Sequence, residues 1–242
     1  MRGKSKKSIY KRIIIKLTGE SLAGSGGQID LDAIDVVVRE GMAVHALGVQ
    51  VGIIVGGGNI VRGVELSRSG RIERVDADYM GMLATAINAL ALSALMRGQG
   101  LETRVLSAIE MKAITEPYIR GRAMKHLEHG RAVIFSAGTG NPHFSTDTAA
   151  VLRASEVQAD AIIKATKVEG IYTDDPVKNS AAKLIRDISY EDAFRKRLKF
   201  MDAAAIGFAM ENYPKPIHVL NIFKKGNLLR VLNGESVGSR IH

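Results

Sequence analysis

Short apolar runs alternate along the chain with longer amphipathic stretches. Residues 9–17 form an apolar, β-branched run ended by Thr18, Gly19 and Glu20. It predicts a strand buried on both faces, because polar alternation disappears when neither face meets water. Beyond a glycine-rich loop at 24–27, Asp30 is placed to cap a helix reaching about residue 47. Ile34, Val37, Val38, Met42 and Leu47 recur there at helical spacing, and Gly48 is its stop. Further strands are predicted at 49–55, 103–106, 131–136, 161–164 and 217–220. Helices are predicted at about 75–97, 120–129, 147–156, 190–195 and 201–212. This alternation implies an α/β fold, a mostly parallel sheet with helices on both faces. No Pro- or Ser-rich linker and no fixed repeat divides the chain, so residues 9–242 read as one domain. Ligands in such sheets bind beyond the carboxyl ends of the strands, here the loops after Leu17, Val55, Ser136 and Lys164.

Residues 79–96 carry no formal charge and reach the lower edge of membrane-spanning length. Gly81, Thr85, Asn88 and Ser93 interrupt them, and Ala84, Ala86, Ala89, Ala91 and Ala94 give a small-residue surface suited to close helix packing. The expectation is a buried or subunit-interface helix and no membrane. The absence of Cys from the 242 residues excludes a disulfide-stapled module, a thiolate metal site and a thiol nucleophile. The net charge of +9 is concentrated in Arg2, Lys4, Lys6, Lys7, Lys11 and Arg12. Residues 1–8 therefore read as a solvated basic arm on a nearly balanced body, with no dedicated nucleic-acid partner. The arm lacks the apolar core of a signal peptide, so a cytoplasmic location is expected.

Four loops carry the candidate chemistry. Gly56-Gly57-Gly58-Asn59 lies between a strand and a short helix, where missing Cβ atoms let backbone N–H groups close around an anion; Arg62 follows. It reads otherwise as a tight turn. The common nucleotide signatures fail: Ser25 stands where a P-loop needs Lys, and Val61 occupies the third glycine position of a dinucleotide fingerprint. Lys16, at the carboxyl end of an apolar strand, points toward the ligand edge; the alternative is a stem along the sheet with its head in solvent. The loops 136–147 and 164–176 offer Gly, Thr, Asn, an aromatic and acids to a second polar ligand, or are plain connections. His126 and His129 at i,i+3 read as a solvated pair, not a metal site. Met80, Met82 and Met96 read as packing.

Together these loops make the sequence similar to the bacterial UMP kinases of the amino acid kinase superfamily. The likeness rests on Lys16-Leu17-Thr18-Gly19-Glu20, Gly56-Gly57-Gly58-Asn59 with Arg62-Gly63, Asp78-Tyr79-Met80-Gly81-Met82-Leu83-Ala84-Thr85, Gly138-Thr139-Gly140-Asn141-Pro142 and Lys164-Ala165-Thr166-Lys167-Val168. The resemblance implies a three-layer α/β/α sandwich, the amino acid kinase fold, that transfers the ATP γ-phosphoryl group to UMP in pyrimidine nucleotide biosynthesis. It implies that Lys16, Leu17, Thr18, Gly19, Gly58, Arg62, Thr166, Tyr172 and Asp175 contact ATP. Gly57, Asp78, Thr139, Gly140, Asn141, Pro142, His143, Phe144, Ser145 and Thr146 would contact UMP. Lys16 and Arg62 would be catalytic, with Asp202 at a helix start helping to orient the lysine. Mg²⁺ would be held mainly by the nucleotide phosphates, with no protein metal site.

The resemblance also implies a homohexamer responding to GTP and UTP, with Gly24, Ser25, Gly26, Gly27, Gln28, Ile29, Arg104 and Arg131 near the effector. Ser93 stands where some relatives have an arginine. Two rivals remain: a same-fold kinase of a carboxylate or carbamate acceptor, and a nucleotide-binding regulatory or storage protein without turnover. Asp78 speaks against the first, since a ribose diol can donate hydrogen bonds to an acid and a carboxylate acceptor cannot.

Overall fold

The computed structural model describes residues 8–24, 29–176 and 178–242. Most of the basic arm and Ser25, Gly26, Gly27 and Gln28 of the expected effector loop lie outside them. The first strand, β1 (Arg12–Leu17), is shorter than the apolar run suggests. Ser8 turns its hydroxyl onto the Tyr10 carbonyl, Ile9 stays exposed, and pairing starts only where Arg12 meets Gln50.

A 3-10 turn (Gly19–Leu22) follows, then α1 (Leu31–His45), β2 (Gln50–Val55), α2 (Gly63–Ser67), α3 (Arg74–Gly98) and β3 (Thr103–Ser107). Next come β4 (Glu116–Pro117), α4 (Arg120–Glu128), β5 (Ala132–Ser136), α5 (Thr146–Glu156) and β6 (Ala161–Thr166). The last part holds β7 (Ile171–Tyr172), β8 (Leu184–Ile185), β9 (Asp187–Ile188), α6 (Tyr190–Arg195), α7 (Ala203–Asn212), β10 (Ile217–Asn221), α8 (Asn227–Leu232) and β11 (Ser239–Ile241). The sequence pattern did not anticipate β4, β7, β8, β9, β11 or α8, which are too short to show a period.

Nine strands form one sheet in the order β4-β3-β5-β2-β1-β6-β10-β11-β9. Every pairing is parallel except β10 with β11. β1 lies between β2 and β6, so both its faces meet helices. Ile13, Ile15 and Leu17 pack with α1, α3 and α8. Ile14 points the other way, into a core shared with α4, α5, α6 and α7. The expected three-layer α/β/α sandwich results, and burial of each such Ile contributes roughly 1.5–3 kcal/mol.

By length and composition alone α3 could cross a membrane, yet half of its most apolar window is buried within the fold. Ala89, Leu92 and Met96 pack onto the sheet, whereas Val75, Tyr79, Leu83 and Ile87 form an exposed stripe at helical spacing. Of the methionines expected to pack, Met82 and Met96 do so, and Met80 is exposed.

Candidate active site

The parallel register of β1 and β6 sets Lys16 directly beside Lys164. Both side chains leave the sheet on the α5 side, because each is one residue out of phase with the core-facing Ile15 and Ile163. Asp147, in the first turn of α5, meets both: Lys16 Nζ lies 2.7 Å from Oδ1 and Lys164 Nζ 2.7 Å from Oδ2. All three groups are buried from solvent, with side-chain exposures of 6%, 9% and 13%. Burial is the main force on Lys164 and, with the neighbouring Lys16 charge, pushes its ammonium down to about 8 against the pull of Asp147. Burial alone would raise Asp147, but the two lysine charges outweigh it and hold the carboxyl below its ordinary range. The result is a dry cluster with one net positive charge, facing the carboxyl ends of the strands.

The triple glycine packs against the turn after β1 and against α3, because backbone replaces side chain at the contact. A Cβ on Gly19 would lie 2.6 Å from Gly58 N, and one on Gly57 would lie 2.6 Å from Gly81 O on α3. Asn88, fully buried on α3, donates to Gly56 O at 2.7 Å and to Asn59 Oδ1 at 2.7 Å, fixing both ends of the loop. One turn earlier, Thr85 accepts the amide of Ala137 at 2.7 Å and so pins the start of the loop after β5. Arg62 pairs with Glu20, donates to Glu65 at 3.3 Å, and reaches Gly58 O at 3.3 Å. Its guanidinium is therefore held ready between two loops.

Two cavities open nearby, one lined by Lys164 and the other by Thr146, the chain neighbour of Asp147. The larger, about 820 Å³, is lined by Thr18, Glu20, Lys164, Thr166, Tyr172 and Asp175, and also by Lys196, Arg197 and Lys199, which the sequence reading had not singled out. The smaller, about 150 Å³, is lined by Gly57, Asp78, Thr139, Phe144, Ser145 and Thr146 among others. Gly140, Asn141, Pro142 and His143 complete its loop without lining it. The Asp78 carboxylate receives Arg74 Nε at 2.9 Å and the His143 amide at 2.8 Å, so it ties this loop to α3. The side chain of Leu17 belongs to the core and only its backbone reaches the site.

Asp202, expected to help orient the lysine, bears on the cluster through its charge, which favours the protonated form of Lys164. Asp147, which the sequence reading passed over, holds Lys16. Asp202 caps α7 through the Ala205 amide at 2.8 Å and takes hydrogen bonds from the Ser145 and Thr148 hydroxyls. Lys164 was quoted within a motif but given no role of its own, although Lys164-Ala165-Thr166 repeats the spacing of Lys16-Leu17-Thr18. Of the expected effector residues, Arg104 and Arg131 meet on Glu102 at 2.8 and 2.9 Å. Gly24 and Ile29 flank the undescribed loop segment, and a backbone bridge joins Ala23 to Ile29. His126 is not a solvated residue: it is buried between Glu116 and Arg131, each 3.1 Å from a ring nitrogen.

The amino acid kinase family model matches residues 11–221. The structure is similar to a UMP kinase from Bacillus anthracis, with 40% identity, 96% of each chain covered and a TM-score of 0.92. It is also similar to a UMP kinase from Ureaplasma parvum, at 33% identity over 96% of this chain and 98% of that one, with a TM-score of 0.88. A uridylate kinase from Archaeoglobus fulgidus shares the fold, at 23% identity over 95% and 99% of the two chains and a TM-score of 0.73. With the parallel sheet, the lysine cluster near the carboxyl ends of β1 and β6 and the near-complete coverage of these relatives, the chain belongs to the amino acid kinase family.

Proposed function

We propose that this protein is a UMP kinase, which transfers the γ-phosphoryl group of ATP to UMP and yields UDP and ADP for pyrimidine nucleotide biosynthesis. The Lys16–Asp147–Lys164 cluster near two cavities carries the reading, and the 40% identity to a UMP kinase supports the choice of acceptor. ATP occupies the larger cavity, with Tyr172 beside the base and Thr18, Gly19 and Gly58 near the phosphates. UMP occupies the smaller one, against Asp78, Thr139, Phe144 and Thr146. The acceptor phosphate is already anionic near neutral pH, since a phosphomonoester has a second pKa of about 6. No residue has to deprotonate it. The protein's work is to hold two phosphate chains in line and to neutralise charge spreading over the transferred group. Lys16 and Lys164 do so from one side and Arg62 from the other, after its guanidinium exchanges Glu20 and Glu65 for phosphate oxygens.

The described residues hold no group of three or more His, Asp or Glu able to cage a metal, and the cluster's lysines already share Asp147. A cation carried by the ATP phosphates would supply the remaining neutralisation. The test of the reading is ADP release from ATP and Mg²⁺ with UMP, CMP, dUMP, acetylglutamate or carbamate in turn. Rapid release with UMP is expected. Turnover with an acid acceptor instead would remove the substrate assignment, and silence with all five would favour a regulatory or storage protein.

The Lys164 shift sets a pH dependence. Its charge is present below about 8 and lost above, so kcat/KM for ATP should fall as pH rises through about 8, because that ratio reports the free enzyme. Bound phosphates favour the charged lysine, so the limb in kcat should lie higher. A kcat/KM profile flat from pH 7 to 9 would remove Lys164 from phosphate binding.

We further place the enzyme in the cytoplasm as a homohexamer. The exposed stripe on α3 supports self-association: a two-fold contact sets a residue near its own copy, and a charge-free surface avoids like-charge repulsion there. Arg104 and Arg131, converging on Glu102, are the anion-binding groups for GTP or UTP. Light scattering that gives the mass of one chain would overturn the assembly, and saturation curves unmoved by either nucleotide would overturn the regulation.

A further inference from the structure

The smaller cavity, at about 150 Å³, is tighter than the roughly 300 Å³ or more usual for a ligand of nucleotide size. The 139–146 loop forms one wall of it. The loop ends at Ser145, which caps α5: its Oγ accepts the amides of Asp147 at 2.9 Å and Thr148 at 3.3 Å. The same Oγ donates its only proton to Asp202 in a short hydrogen bond. A hydroxyl has one proton and two lone pairs, so the Ser145 hydroxyl has nothing left to offer a ligand. It lines the acceptor cavity with that hydroxyl already committed to Asp202 and to the start of α5.

Asp202 leads into the other cavity. It stands two residues beyond Phe200, and the segment 196–200 lines the larger cavity with the exposed Lys196, Arg197 and Lys199. Arg197 adopts the left-handed backbone region, with φ at 49°. Three cations on an exposed, strained segment are suited to be drawn in by an anionic nucleotide. Asp202 also receives the Thr148 hydroxyl at 3.3 Å, so the donor-cavity wall is joined to the start of α5, where Asp147 holds the two lysines.

We propose that the Ser145–Asp202 hydrogen bond couples the two cavities, so that a nucleotide in either one raises the affinity of the other. Ser145 is thus a positioning residue and not an acceptor contact. The proposal rests on the ATP and UMP reading. Ordering the 196–200 wall fixes Asp202, Asp202 fixes Ser145, and the acceptor loop then loses less freedom when UMP arrives. Linkage makes the effect reciprocal.

The test is calorimetric titration of UMP with and without saturating β,γ-imido-ATP, and the converse. The wild-type chain should bind UMP about tenfold tighter when the analogue is present, within the usual range of coupling between sites. In Ser145→Ala the affinities for each ligand alone should change less than about threefold, and the coupling ratio should fall toward one. Ser145→Gly should behave alike, because Gly is tolerated at a helix N-cap almost as well as Ser, which separates coupling from loss of the cap. Ser145→Thr, which keeps the hydroxyl, should restore the ratio. A full ratio in the Ala and Gly variants, or an equal loss of UMP affinity with and without the analogue, would overturn the proposal. Wild-type binding of both ligands with a ratio of one would overturn the coupling alone, whereas no UMP binding by the wild type would instead remove the functional reading.

Discussion

Lys16→Ala is expected to lower kcat about 10³-fold, within the range for removing a charge that stabilises a transition state, while KM for UMP changes less than about threefold. The loss corresponds to about 4 kcal/mol. Lys16 faces the strand-end side where phosphates would lie, and its ammonium is already dehydrated, so its field on the transferred group is little screened. The variant should still fold, because Asp147 keeps Lys164 as a partner at 2.7 Å. A second readout follows from the same geometry. The Lys16 charge is one of the forces that lowers Lys164, so the alkaline limb near 8 should move upward in the variant. Steady-state kinetics across pH checks both effects, and an unchanged kcat would refute the role of Lys16.

Asp147→Asn is expected to be the more damaging change, because it leaves two buried ammonium groups facing each other with the Asp202 charge as the remaining counter-charge. Removing one member of a buried ionic cluster costs about 3–5 kcal/mol, which for a domain of ordinary stability is a large share of the whole. The sign of its pH dependence can be worked out. Lys164 is already depressed from 10.5 to about 8, and without Asp147 it falls further. Between that value and 10.5 the unfolded chain binds more protons than the folded one, so stability rises with pH across the window. In the variant the window opens at lower pH. The gap between variant and wild type in urea unfolding should therefore be widest near pH 6.5 and narrow by pH 9. A gap that stays constant would show that charge repulsion is not the cause. Activity should fall as well, since two repelling lysines no longer share one orientation.

Much of the fold was legible in the sequence because side-chain period is a local property. The apolar run ending in Lys16, the cap at Asp30 and the glycine loops all appear as residue types at fixed offsets, and α1, β2 and β5 lie within a residue or two of where the pattern puts them. Short elements such as β7 and β11 stayed hidden, since two or three residues cannot display a period. At the site, the residue types of Lys16, Arg62 and the 139–146 loop are visible in the sequence, but the bonding of the Ser145 hydroxyl is not. Only its three hydrogen bonds show that its hydroxyl is fully used.

The sequence by itself determined the α/β class, the edge of the sheet where the candidate site lies, and the cation at the end of β1. What only the tertiary structure decided is which charged groups meet there. Lys16 and Lys164 are far apart in the chain and become neighbours because β6, and not another strand, pairs with β1 in a register that sets the two side by side. Asp147 joins them because α5 packs across that same face. Periodicity records how each residue faces relative to the next, whereas strand order and register are set by the packing of two whole cores against the sheet.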